Sequence, residues 1–202
     1  MPPPWHHEGA AALIRKITVG AYENNVYVVA CATTGKAVII DAAFEPDRIA
    51  AAVSDLEPVA ILTTHGHFDH VGAARETAAM LHIPFRLHPA DTEIAGMTPD
   101  EPVAPGAITV GELVIDARHT PGHTPGSTCF VIPGVVFSGD TLFPGGPGAT
   151  RFPYSSFDRI IDSITGELFT LEPDTLVMPG HGLDTTIGTE QPSLQAWRER
   201  GW

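Results

Sequence analysis

A short apolar run, Val59-Ala60-Ile61-Leu62, passes through Thr63-Thr64 directly into His65-Gly66-His67-Phe68-Asp69-His70. The run is the length of a buried strand, and the stretch from Val71 to Leu81 reads as a helix. The hexapeptide therefore lies in a strand-to-helix loop at the C-terminal edge of a sheet, where functional side chains gather. Gly66 is expected to allow a sharp turn between the first two imidazoles. Neutral imidazole and carboxylate are good zinc ligands, and a catalytic zinc keeps one position for water. Four donors are too many for one such site and too few for two, so a pair of ions needs about three more ligands.

Three candidates occur beside glycines at the ends of expected strands. They are His123 in Pro121-Gly122-His123-Thr124, Asp140 in Ser138-Gly139-Asp140-Thr141, and His181 in Pro179-Gly180-His181-Gly182. Each alone reads as a turn or a helix cap; together with the hexapeptide they make a ligand set. The rest of the pattern predicts strands at Ile17–Val19 and Val26–Cys31 around a Glu23-Asn24-Asn25 turn, then Ala37–Ile40 closing on Asp41. Helices are expected over Pro46–Leu56, Val71–Leu81 and Phe157–Phe169. Further short strands are expected at 84–87, 107–110, 113–117, 128–132, 135–137 and 175–178. This order predicts an α/β fold with two sheets sandwiched between helices.

At 202 residues the chain has room for one domain, with residues 1–10 as a flexible, proline-rich extension in which His6 and His7 receive no role. Its formal charge of −13 disfavours nucleic acid and anionic membranes, which leaves a small-molecule substrate. The start lacks a basic and apolar secretory pattern, and no window carries the roughly 18 apolar residues of a membrane span. A cytoplasmic location follows as the expectation, with Cys31 and Cys129 as reduced core thiols. Trp197 and Trp202 are expected to cover the core.

The combination of His-x-His-x-Asp-His, Gly-His-Thr, Gly-Asp-Thr and Pro-Gly-His resembles the metallo-β-lactamase superfamily, and the likeness runs over nearly the whole chain. It implies a four-layered αββα sandwich and two divalent metal ions, zinc with iron or manganese as substitutes. By that resemblance His65, His67 and His123 hold the first ion, Asp69, His70 and His181 the second, and Asp140 bridges them. Asp41 would support the metal loop from behind, and His119 is read as a hydrogen-bonding residue behind His123 rather than a ligand. An aspartate at the bridge is similar to the short, single-domain glyoxalase II-like (hydroxyacylglutathione hydrolase-like) branch, which implies thioester hydrolysis by a water that two ions activate. Asp69 and Asp140 would be its catalytic carboxylates. Glyoxalase II carries a C-terminal segment of glutathione-gripping cations, for which this chain offers Arg198 and Arg200, so weak dependence on glutathione is expected. The glycine-rich stretch 144–150 and Arg151 are candidates for a wall of the substrate cleft. The alternative from the same superfamily is a mononuclear iron persulfide dioxygenase using chiefly His65, His123 and Asp140. His82 and His88 are read as a helix-end polar group and a packing residue.

Overall fold

The computed structural model describes residues 1–201. Its first sheet starts with β1 (His7–Glu8), β2 (Ala12–Val19), β3 (Asn24–Cys31) and β4 (Lys36–Ile40), each antiparallel to the one before. Pairing then turns parallel, which requires crossovers. Helix α1 (Pro46–Ala52) carries the chain to β5 (Glu57–Leu62), and α2 (Phe68–Val71) with α3 (Ala74–Leu81) carries it to β6 (Phe85–Leu87). A 3-10 turn at Pro89–Asp91 and α4 (Thr92–Ala95) then lead to the edge strand β7 (Glu101–Pro102).

The second half supplies β8 (Gly106–Val110), β9 (Leu113–His119), β10 (Thr128–Ile132) and β11 (Val135–Gly139). After a small hairpin of β12 (Leu142–Phe143) and β13 (Gly146–Pro147) come α5 (Phe157–Ser163), β14 (Leu176–Pro179) and β15 (Thr185–Thr186). The short helices α6 (Ile187–Glu190) and α7 (Leu194–Arg200) follow. The second sheet has the order β15-β14-β11-β10-β9-β8, in which β11 and β14 run parallel.

Three apolar layers hold these elements. Val28, Ile39 and Ile61 meet Ile49 of α1 and Ala74 and Ala78 of α3; Tyr27, Val29, Ile40 and Leu62 meet Ile115, Phe130, Phe137 and Met178 between the sheets. Cys129, Val136 and Val177 meet Ile160, Ile161 and Trp197 beneath α5 and α7. Every residue of β3 is buried, which is why its run from Val26 to Cys31 is apolar without alternation. Each fully buried Val, Leu, Ile or Phe contributes about 1.5–3 kcal/mol. The architecture is the expected α/β sandwich of helices, two sheets and helices.

Several local expectations are corrected. The first ten residues are tied down rather than frayed: β1 extends the first sheet, and Trp5 lies under the Arg15 guanidinium 3.9 Å from its ring. The first turn falls at residues 20–23, so Asn24 and Asn25 lie in β3. The expected 71–81 helix breaks at Gly72 and Ala73 into α2 and α3, because Ala73 N–H turns aside to the carbonyls of Ala42 and Ala43. Helix α1 stops at Ala52, and α5 at Ser163, where a π-helical turn, Ile164–Leu168, takes over. Helix α7, unanticipated, buries Trp197; Trp202 lies outside the described residues. Both cysteines are buried free thiols, and no helix among the described residues is long and apolar enough to cross a membrane.

Candidate metal centre

Strand ends bring the candidate ligands together. His65 follows β5 by three residues, His67 caps α2, and Asp69 and His70 lie on that helix. His123 lies in the β9–β10 loop, Asp140 follows β11, and His181 follows the neighbouring strand β14. All seven donors converge. His65, His67 and His123 form one compact triad, Asp69, His70 and His181 a second, and Asp140 groups with His65 and His70 between them.

The ring nitrogens face one another at distances that suit a shared cation. His67 Nδ1 stands 3.1 Å from His65 Nε2 and 3.0 Å from His123 Nε2, and His70 Nε2 stands 3.3 Å from His181 Nε2. Zinc–nitrogen bonds of about 2.0–2.1 Å in a tetrahedron put neighbouring donors roughly 3.3–3.4 Å apart.

Hydrogen bonds on the far side of each ring orient it so that the other nitrogen faces inward. His70 Nδ1–H donates to Asp41 (2.8 Å), His123 Nδ1–H to the Ala149 carbonyl (2.8 Å), and His181 Nδ1–H to the Tyr22 carbonyl (2.9 Å). His65 Nδ1–H reaches Thr64 Oγ1 at 3.1 Å, whose hydroxyl donates in turn to Asp41 at 2.7 Å. His67 is turned the other way, with Nε2 on the Tyr154 hydroxyl at 2.9 Å and Nδ1 inward. Lone pairs aimed at a common point repel unless a cation lies between them. Asp140 Oδ1, buried without a hydrogen-bond partner, lies 3.4 Å from His70 Nε2, and Oδ2 lies 3.6 Å from His123 Nε2. One carboxylate oxygen thus faces each triad. On the chemistry of these donors the site fits two divalent ions.

The surrounding charges differ between the triads. Burial holds His65 well below the ordinary histidine value, helped by the nearby His70 and His123. His67 is pulled down to about 4 by burial and His123. Burial acts in the same sense on His70, but the Asp140 and Asp41 carboxylates outweigh it and raise that residue well above the ordinary value. His181 is raised in the same way, against burial, by its hydrogen bond to Asp69 and by Asp140. Asp69 and Asp140 both lie below the usual carboxylate range; burial opposes this, but His181 and His70 outweigh it at Asp69, and His70 and His123 at Asp140.

Asp41 lies behind the loop that carries His65 to His70. It accepts from Thr64 N–H and Oγ1 as well as from His70, and it adopts a left-handed backbone (φ 58°) that a non-glycine residue rarely takes. His119 is no ligand in this geometry; its Nε2–H donates to the Pro125 carbonyl (2.8 Å), and its ring stacks on His88. His82 ends α3 in a left-handed conformation. Of the expected cleft wall, residues 147–151 line a cavity of about 460 Å³ together with Gly201, and Arg151 lies 5.6 Å from the Phe152 ring centre.

Other contributors escaped the sequence reading. Asn24 Nδ2 donates to Asp69 (3.1 Å), Tyr154 holds His67, and the fully buried Asp91 accepts from Gly66 N–H, Gly126 N–H and Thr124 Oγ1. A side chain at Gly180 would put Cβ 2.5 Å from both Asp140 Oδ1 and His70 Cε1. An acid just after the apolar end of β6 was the one available signal for Asp91; nothing local marks Asn24 or Tyr154.

The chain is similar to several known proteins. The model of the metallo-β-lactamase superfamily matches residues 19–181. The chain is 33% identical over 180 residues to the hydroxyacylglutathione hydrolase GloC of Haemophilus influenzae, covering 78% of this chain and 85% of the relative. Among solved structures it is similar to TTHA1623 in a di-iron-bound form (34% identity, TM-score 0.74, 88% of this chain and 96% of that one). It is also similar to ETHE1 from Myxococcus xanthus (31% identity, TM-score 0.79, 88% and 81%).

Proposed function

The chain belongs to the metallo-β-lactamase superfamily, and on that premise we propose that it is a binuclear metal-dependent hydrolase that cleaves a thioester or a similar small ester. The observation that carries this reading is the pair of donor triads with a shared carboxylate, in which the Nδ1 atoms of His70, His123 and His181 are engaged by acceptors outside the centre and their Nε2 atoms face inward. His65, His67 and His123 would hold one ion, Asp69, His70 and His181 the other, and Asp140 both. Bound there, two divalent ions supply a water that ionises near neutral pH and a Lewis acid for the acyl oxygen.

The chain's own groups do the rest. Asp69 is held ionised beside His181 and Asn24, where it can orient the attacking water. Phe152, 4.8 Å from the His67 ring and stacked on Tyr154, excludes water from one flank. Arg151, exposed at the edge of the adjoining cavity, offers a cation for the remote part of an anionic substrate. The likeness to a hydroxyacylglutathione hydrolase supports a thioester as the scissile group.

The likeness to ETHE1 favours a second reading, a mononuclear iron persulfide dioxygenase built on His65, His123 and Asp140. The complete second triad weighs against it, since one ion would leave those donors facing one another. Metal analysis of protein purified without chelator, joined to thioester and persulfide assays, separates the two. About two ions per chain and thioester hydrolysis are expected. A single iron with oxygen consumption on persulfide would overturn the proposal.

A further inference from the structure

Outside the ligand set, the most unusual group in the molecule is Asp91. It is fully buried in the 3-10 turn after β6, and the three donors it accepts from are neutral. A buried carboxylate is costly unless its oxygens are fully engaged. Here Oδ2 accepts from Gly66 N–H (2.8 Å) and the Thr124 hydroxyl (2.6 Å), and Oδ1 from Gly126 N–H (2.6 Å). Gly66 lies between His65 and His67; Thr124 and Gly126 follow His123. One carboxylate therefore joins the two loops that carry the first triad.

The glycines show that this approach is built into the chain. A Cβ on Gly66 would sit 2.6 Å from the Asp91 carbonyl oxygen and 2.9 Å from its Cβ, and one on Gly126 would sit 2.7 Å from the Asp91 carboxylate. Gly66 is absent from the positive-φ glycines, so its lack of a side chain serves the close approach of Asp91 rather than the sharp turn expected from the sequence. The contact is backed from outside. His88, three residues before Asp91, stacks on His119 with ring centres 4.4 Å apart, and His119 holds the Pro125 carbonyl.

We propose that Asp91 is a positioning residue that sets the spacing of His65 and His67 against His123, and thereby selectively sets the affinity of the first metal site. It rests on reading those three histidines as ligands of one ion. The second triad has other supports, Asp41 behind His70, Asn24 on Asp69 and the Tyr22 carbonyl on His181, none of which touches Asp91.

The test is zinc affinity, measured against a competing chelator, with and without Asp91→Asn. It is done in two backgrounds, His181→Ala to report the first site and His123→Ala to report the second. Either orientation of the asparagine amide sets its NH2 against a backbone N–H, of Gly66 or of Gly126. The first site should lose at least about tenfold in affinity, as disturbed outer supports of metal ligands typically do, while the second changes by less than about threefold. Thr124→Val removes one donor and leaves the carboxylate in place; if the Asn variant does not fold, this milder change should still weaken the first site alone, by roughly threefold. Equal loss at both sites, or no loss at either, would overturn the proposal. Ion count and thioester hydrolysis of the unaltered protein test the hydrolase reading separately, so one can fail without the other.

Discussion

His65, His67 and His123 meet with no carboxylate of their own, whereas His70 and His181 meet around Asp69, with Asp140 standing between the two groups. The difference is one of proton affinity. In the first triad burial and neighbouring imidazoles keep His65 and His67 uncharged far into the acid range, His67 down to about pH 4. In the second, carboxylates raise both histidines, so they remain protonated at a higher pH than a free imidazole. A cation entering the first triad displaces no proton from these groups at pH 6; one entering the second must expel protons from His70 and His181. Two halves built from the same residue types therefore make sites of different acid tolerance.

Asp140 is the one carboxylate that faces both halves, and its removal should have the largest effect. Asp140→Ala is expected to lower the metal content at both sites and to reduce turnover by at least about a hundredfold, read by elemental analysis and thioester hydrolysis. Gly180→Ala should strike one half. Its Cβ would push on His70 and Asp140, so one ion per chain should remain, held by the first triad; retention of both would mean that the β14 loop yields more easily than its contacts suggest. The smallest change is Tyr154→Phe. Losing a half-exposed hydrogen bond of about 1 kcal/mol should weaken the first site by roughly fivefold and leave the second alone.

How much of this was legible in the sequence follows from the same contrast between local and distant causes. The seven ligand candidates could be read because each ends an apolar strand beside glycine or lies in one hexapeptide, and because parallel strands deliver their ends to one edge. The layer order could be read from runs such as Val26–Cys31 and Val135–Phe137, whose continuous apolarity requires cover on both faces. Asp91 and Tyr154 could not, since their roles depend on loops 25 to 87 residues away along the chain. Asn24 was taken for a turn residue because asparagine favours turns, but its side chain is used against Asp69, 45 positions on. The proline-rich start was read as loose because nothing local shows that β1 will find β2 or that Trp5 will find Arg15. The break between α2 and α3 comes from carbonyls of residues 42 and 43, again beyond any local window.

The most direct test of the asymmetry is metal content per chain after dialysis through a pH series from 8 to 5. A histidine whose folded value is raised loses metal to protons as pH falls through that value, by roughly tenfold in affinity per unit for each proton taken up. Those whose value is lowered hold their metal until the solution is far more acidic. As the series descends from pH 8, two ions should therefore become one well before the last is lost, and the retained ion should still be present in a His181→Ala variant and absent from a His123→Ala variant dialysed in parallel. Loss of both ions in a single step, or retention that depends on His181 rather than His123, would contradict the assignment of the greater acid tolerance to the half that holds His65 and His67.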